Sequence, residues 1–208
     1  MVGEGVLLEC LSHPQVGRIL VVGRRPYEVK YPKLKELIVA DFFNLEQAQS
    51  ELSGYDACFF CAGVSSIGMN EKEYTKITFD LTLHFARTVS RLNPGMVFCY
   101  ISGKLTDSSE KGRVMWARVK GRTENELMKL PFKNVYNFRP GMLKATKGQK
   151  SLKRFYKIIM PLYPLVSFLY PSGSSTLKEL SLAMINSVLK GSENPVLEVK
   201  DIKQLAKQ

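Results

Sequence analysis

Residues 18–41 read RILVVGRRPYEVKYPKLKELIVAD, and this run decides the fold. It opens on a short apolar segment rich in branched side chains, 18–23 (RILVVG), and closes on a second, 34–40 (LKELIVA), each of which reads as a strand. Outward from it the same alternation continues. Towards the N-terminus, 3–11 reads as a helix with Val6, Leu7, Cys10 and Leu11 on one face, stopped by His13-Pro14. Towards the C-terminus follow a short helix over 44–52 and an apolar strand over 56–63 (DACFFCAG) that runs into a glycine turn. Within 70–92, Tyr74, Ile77, Leu81, Phe85, Thr88 and Leu92 recur at helical spacing. Phe79, Leu83 and Ala86 give that helix a second apolar side, which predicts burial against both a sheet and another helix. Next come a strand at 96–102 (MVFCYIS), a helix at 113–130 and a strand at 134–138 (NVYNF) closed by Arg139-Pro140-Gly141. A helix broken at Pro161 and Pro164 spans 151–170, and an amphipathic helix spans 176–190. Strands alternating with helices of this length predict an α/β doubly wound fold with a parallel sheet covered on both faces. Near-continuous apolar strands fit it, since both of their faces are buried.

The composition narrows the class. With 208 residues, 45% hydrophobic and 24% charged, the chain is long enough for one α/β domain and is not that of a disordered protein. No run approaches the roughly 18–20 apolar residues of a membrane span, and the N-terminus lacks a basic signal-peptide start. Four cysteines at 10, 58, 61 and 99 are too sparse for a disulfide scaffold, so a reducing, cytoplasmic setting is expected. The net charge of +11 is uneven: residues 127–178 contain ten Lys and Arg and no Asp or Glu. Such a field attracts phosphorylated ligands, nucleic acid or an anionic surface, although a solvated basic face that aids solubility has the same composition.

A doubly wound sheet places ligands at the carboxyl ends of its strands. After the first strand stand Gly23, Arg24 and Arg25, and arginine at that position accommodates the 2′-phosphate of NADP where an acidic residue would take a 2′-hydroxyl. After the second stand Asp41 and Phe42, suited to adenine; after the third, Cys61, Ala62 and Gly63 let a backbone approach a ligand closely. An exposed turn and an ordinary loop glycine have the same residues.

Taken in order, VVGRRP, VADFFN, FFCAGVSS, YISG, RVKG and NFRPG resemble the atypical short-chain dehydrogenase/reductase proteins, relatives of nucleoside-diphosphate-sugar epimerases that include the Tat-interacting-protein-like group. The resemblance covers nearly the whole chain. It implies a Rossmann fold over 1–208 with a small substrate-side subdomain at 142–175. It also implies NADP(H), more than NAD, lying across the strand ends. Arg24 and Arg25 would meet the 2′-phosphate and Asp41 and Phe42 the adenine. Cys61, Ala62 and Gly63 would line the middle of the cofactor, and Pro140 and Gly141 would sit near the nicotinamide.

Two departures from that pattern carry expectations of their own. Members open with a buried strand and a G-x-x-G-x-x-G turn; here Met1–Gly5 aligns with the end of that turn, with Gly3 as its third glycine. A slot in the sheet and weakened cofactor retention are therefore expected. The family's Tyr-x-x-x-Lys pair reads Trp116-Ala117-Arg118-Val119-Lys120, with Ser102 as the matching serine. Lys120 would hold the ribose. An indole N–H cannot exchange a proton at neutral pH, so the usual acid–base step lacks its acid. Tyr100, two residues before Ser102, is read as core.

Other signals are weaker. Cys58 and Cys61 lie three apart on a strand and point to opposite faces, and with His13 and His84 as the two histidines no metal site is expected. The apolar stretch 155–170 beside lysines resembles an interfacial anchor, but is read as helices packing on the sheet rather than as a membrane contact. The basic residues are not interleaved with aromatics as in nucleic-acid modules. Three functions remain open: an NADP(H)-binding protein without conventional catalysis, an active oxidoreductase or epimerase-like enzyme on an unknown small molecule, and a non-catalytic interaction protein with a basic docking face. The helices at 70–92 and 113–130 also point to a homodimer.

Overall fold

The strands are parallel wherever they pair, as the alternation with helices predicts. The computed structural model describes residues 1–27, 30–146, 149, 163 and 170–208. In chain order they form α1 (Val2–Ser12), β1 (Ile19–Gly23), β2 (Leu34–Ile38), β3 (Ala57–Phe60), α2 (Glu71–Thr75), α3 (Leu81–Leu92), β4 (Val97–Ile101), α4 (Met115–Leu127), β5 (Asn134–Arg139), β6 (Met142–Lys144), β7 (Ser174–Thr176), α5 (Leu177–Leu189), β8 (Val196–Glu198) and α6 (Val199–Leu205). The sheet order is β3-β4-β5-β8, with β1-β2 as a separate parallel pair and β6-β7 as another.

The two larger groups of strands belong to one layer. Ile19 of β1 and Phe59 of β3 pack against one apolar core, together with Val6 and Cys10 of α1 and Leu180 and Met184 of α5. Leu20 and Val22 of β1 pack with Cys58 and Phe60 of β3 against the other, which holds Leu83, Phe85 and Val89 of α3 and Leu127 of α4. β4 feeds both: Val97 and Cys99 face the first core, Phe98 and Tyr100 the second. Yet β1 and β3 share no strand pairing. The interruption expected in the sheet is therefore observed between them. Arg18, just before β1, reaches the segment ahead of β3, donating to the Gly54 carbonyl at 2.6 Å and covering the Tyr55 ring, and beyond β1 the Tyr27 hydroxyl meets Glu4 of α1 at 3.3 Å.

Where sequence and structure differ, the hydrogen bonding explains it. Leu45, Ala48 and Leu52 are buried as a helical face would be, but the bonds run from Ala48 to Leu45 and Glu51 to Ala48, so the expected helix at 44–52 is a 3₁₀ turn at Glu46–Ala48. The long helix at 70–92 starts on an Asn70–Glu73 capping box and passes through a π turn at Lys76–Asp80 before α3. β6, β7, β8 and α6 were not foreseen. Of the expected subdomain, 142–146, 149, 163 and 170–175 are described, and β6 pairs there with β7. The rest, with the broken helix and most of the apolar stretch 155–170, lies outside the described residues.

Candidate functional site

The carboxyl ends of β1, β2 and β3 carry the adenosine-side candidates. Arg24 and Arg25 follow β1 directly and are exposed. The Asp41 carboxylate accepts from the Phe43 N–H at 2.9 Å, an Asx turn, and the half-buried Phe42 ring lies 6.0 Å from that of Phe85. After β3, Ala62 and Gly63 are exposed, and a Cβ on Gly63 would meet nothing within 4 Å. Gly3 stands at the start of α1, where a Cβ would approach that of Cys61 to 3.2 Å. Its small size thus serves the packing of α1 on the end of β3.

The carboxyl ends of β4 and β5 and one face of α4 build the second half. The ladder between β4 and β5 continues past both strands, with the Ser102 N–H on the Phe138 carbonyl at 2.9 Å and the Lys104 N–H on the Pro140 carbonyl at 3.0 Å. This holds Ser102 beside α4, where Lys120 Nζ donates to its carbonyl oxygen. Ser102 Oγ points back into the protein, donating to Glu124 Oε1 at 2.5 Å with the Phe138 carbonyl 3.2 Å away. Glu124 is fully buried and takes Arg139 Nε at 3.0 Å and Nη2 on its two oxygens. Arg139 also reaches Ser108 Oγ at 2.5 Å and Glu198 at 3.4 Å. Trp116, Lys120 and Glu124 are spaced four apart, on one face of α4. The helix comes this close to the loop after β4 because Gly121 is a glycine: a Cβ there would lie 1.8 Å from the Asp107 carbonyl. Gly141 is likewise pressed by protein, with the Gly173 carbonyl 2.0 Å from where its Cβ would be.

Burial pushes the Lys120 amine down to about 8, with the charge of Glu124 opposing that shift. Charging a depressed amine costs stability in full below its folded value, and the cost vanishes as pH rises to the unfolded one. Lys120→Met should therefore gain stability at pH 7, by about 1–3 kcal/mol, and the gain should fade towards pH 10.5. Urea unfolding at the two pH values reads this; a gain that grows with pH contradicts it.

Tyr100 is core as expected, and burial pushes its phenol up. Cys58 and Cys61 face different cores, and no metal-ligating cluster exists among the described residues. The sequence reading missed Glu124 and the role of Arg139. The signal was available: a glutamate one helical turn beyond Lys120, opposite an arginine at a strand end. An open depression of about 500 Å³, lined by Phe43, Asn70, Lys72, Glu73, Lys76 and Asp80, contains none of the expected site residues.

Comparison with solved structures decides the fold. A dTDP-glucose 4,6-dehydratase, DesIV of Streptomyces venezuelae with NAD bound, superposes with a TM-score of 0.66 over 99% of this chain and 76% of its own, at 11% identity. The fold is Rossmann-type. A small-chain dehydrogenase in complex with NADPH shares it at a TM-score of 0.53, covering 89% of this chain and 98% of its own at 13% identity. In sequence, the chain is 25% identical over 155 residues to protein fmp52-1, mitochondrial, of Aspergillus terreus. That match spans 72% of this chain and 65% of the relative's length. No family model matches the chain. In this fold Arg24, Arg25, Asp41 and Gly63 follow the carboxyl ends of β1, β2 and β3, with Ser102 and Lys120 meeting at the end of β4.

Proposed function

We propose that this protein binds NADP(H) across the carboxyl ends of its strands and that conventional Tyr–Lys catalysis is absent at position 116. The observation that carries the preference for the phosphorylated dinucleotide is the exposed Arg24–Arg25 pair directly after β1. The donor set fits the group. Two guanidiniums suit a 2′-phosphate, the open backbone at Gly63 leaves room for the middle of the molecule, and Lys120 beside Ser102 suits a ribose. Asp41 and Phe42 would border the adenine. Gly3 and Gly141 would shape the site through packing, since protein atoms fill the space where their side chains would be. When bound, the dinucleotide supplies or accepts hydride at its nicotinamide. Around it, Ser102 Oγ is committed to Glu124, and Trp116 offers an N–H that holds its proton.

An active oxidoreductase or epimerase-like enzyme on an unknown small molecule is the second reading, favoured by the polar side chains Ser102, Lys104 and Arg139 gathered at the ends of β4 and β5. A homodimer through α3 and α4 and a reducing, cytoplasmic setting, where the four free cysteines persist, complete the proposal. The test is a titration of nicotinamide fluorescence with NADPH and, separately, NADH. Tighter binding of NADPH, by about tenfold or more, is expected from one extra charge-assisted phosphate contact. Equal affinities contradict the assignment of the arginine pair.

A further inference from the structure

At the carboxyl ends of β4 and β5 a tyrosine and a lysine meet that no motif of the sequence connects. Lys104, two residues beyond Ser102, is fixed by its N–H on the Pro140 carbonyl, and its Nζ donates to the Tyr170 hydroxyl. The same Nζ donates to the Ser172 carbonyl at 3.0 Å and lies 4.1 Å from the Tyr170 ring centroid. The turn that carries the tyrosine is packed closely through two glycines. A Cβ on Gly173 would fall 1.9 Å from the Tyr170 ring, and one on Gly141 would fall 2.0 Å from the Gly173 carbonyl. Ring, turn and strand end therefore stack directly above the Pro140–Gly141 corner. Tyr170 remains 51% exposed while its hydroxyl takes the Lys104 hydrogen bond.

We propose that Tyr170, paired with Lys104, is the proton-transferring residue of this chain, replacing the acid that Trp116 cannot provide. The proposal rests on the dinucleotide reading above and deepens it by naming the residue that would exchange a proton with a carbonyl or hydroxyl group of the small molecule. With a reduced dinucleotide bound to supply hydride to the carbonyl carbon, Tyr170 Oη would give its proton to the carbonyl oxygen, and solvent water would re-protonate the Tyr170 phenolate left beside the alcohol and the oxidised dinucleotide. The Lys104 ammonium favours the phenolate, and its hydrogen bond and charge hold the phenol below the ordinary tyrosine range. Lys104 is the charged group that faces this phenol among the described residues, and the 170–173 turn adds the Ser172 side chain.

The test has two independent readouts. Absorbance titration at the phenolate band should show one of the nine tyrosines ionising early. That phenol should vanish in Tyr170→Phe, which keeps the ring and its packing, and move to higher pH in Lys104→Met. In NADPH-dependent reduction of 4-nitrobenzaldehyde, Tyr170→Phe should lower kcat by about 100-fold or more while NADPH affinity stays within about twofold. Lys104→Met should shift the alkaline fall of kcat to higher pH. An unchanged phenol titration in Tyr170→Phe overturns the proposal, as does full turnover by that variant or no turnover by a wild-type protein that binds NADPH. Failure to bind NADPH at all overturns the reading of the fold's ligand instead, and the phenol titration still decides the pair.

Discussion

Glu124→Ala should lower the stability of the protein by about 3–5 kcal/mol, the cost of removing one partner from a buried ion pair. Glu124 is fully buried on α4 and is the common acceptor for Ser102 Oγ and for two nitrogens of Arg139. Without it the guanidinium, 11% exposed, keeps Ser108 and the longer contact of 3.4 Å to the half-exposed, solvent-screened Glu198, a weaker partner than the buried carboxylate it loses. Against a total of about 5–15 kcal/mol for a typical domain, such a loss brings the fold close to melting. Urea unfolding followed by far-ultraviolet circular dichroism measures it. Replacing both Glu124 and Arg139 by methionine should recover much of the loss, since a well-packed apolar pair dispenses with the desolvated charges. A Glu124→Ala protein within about 1 kcal/mol of the wild type contradicts the assignment of this pair as the tie between α4 and the strand ends.

Arg24→Ala combined with Arg25→Ala should weaken NADPH binding by about 100-fold and leave NADH within about twofold. Each charge-assisted contact to a phosphate is worth about 1.5–3 kcal/mol, and every 1.4 kcal/mol is tenfold in affinity. Both arginines are exposed, at the end of a strand whose residues already belong to the two cores, so their removal should leave stability unchanged. The contrast between the two dinucleotides separates a specific 2′-phosphate contact from the general attraction of a chain with net charge +11. Parallel loss of both affinities would point to the general field, as would full rescue of the loss in low salt.

Much of this arrangement was legible in the sequence. The runs ILVVG, ACFF and VFCYI are apolar enough to read as strands of a covered sheet, and each forms a parallel strand. Glycine and arginine after β1, and serine after β4, could be placed at the ligand edge because the doubly wound fold has one such edge. What stayed hidden depends on partners distant in the chain. The sequence places Gly3 and Gly141 beside the cofactor, while the atoms their small size admits, those of Cys61 and the Gly173 carbonyl, lie far along the chain and give no local signal. The π turn at Lys76–Asp80 leaves the apolar spacing of 70–92 almost unchanged, so periodicity could not reveal it. β8 is three residues long and takes its register from Asn137, Phe138 and Arg139 of β5, too short a span for any pattern. Lys104 and Tyr170 are 66 residues apart, and each alone is an unremarked surface residue.

The central claim is that the ends of these strands hold NADP(H), and NADPH titration of the protein with nicotinamide fluorescence as the signal tests it most directly. The account predicts a saturable change with a Kd in the micromolar range, weaker than about 1 µM because β1 and β3 do not pair, and at least about tenfold tighter than NADH. No saturable change with NADPH up to about 1 mM would contradict it.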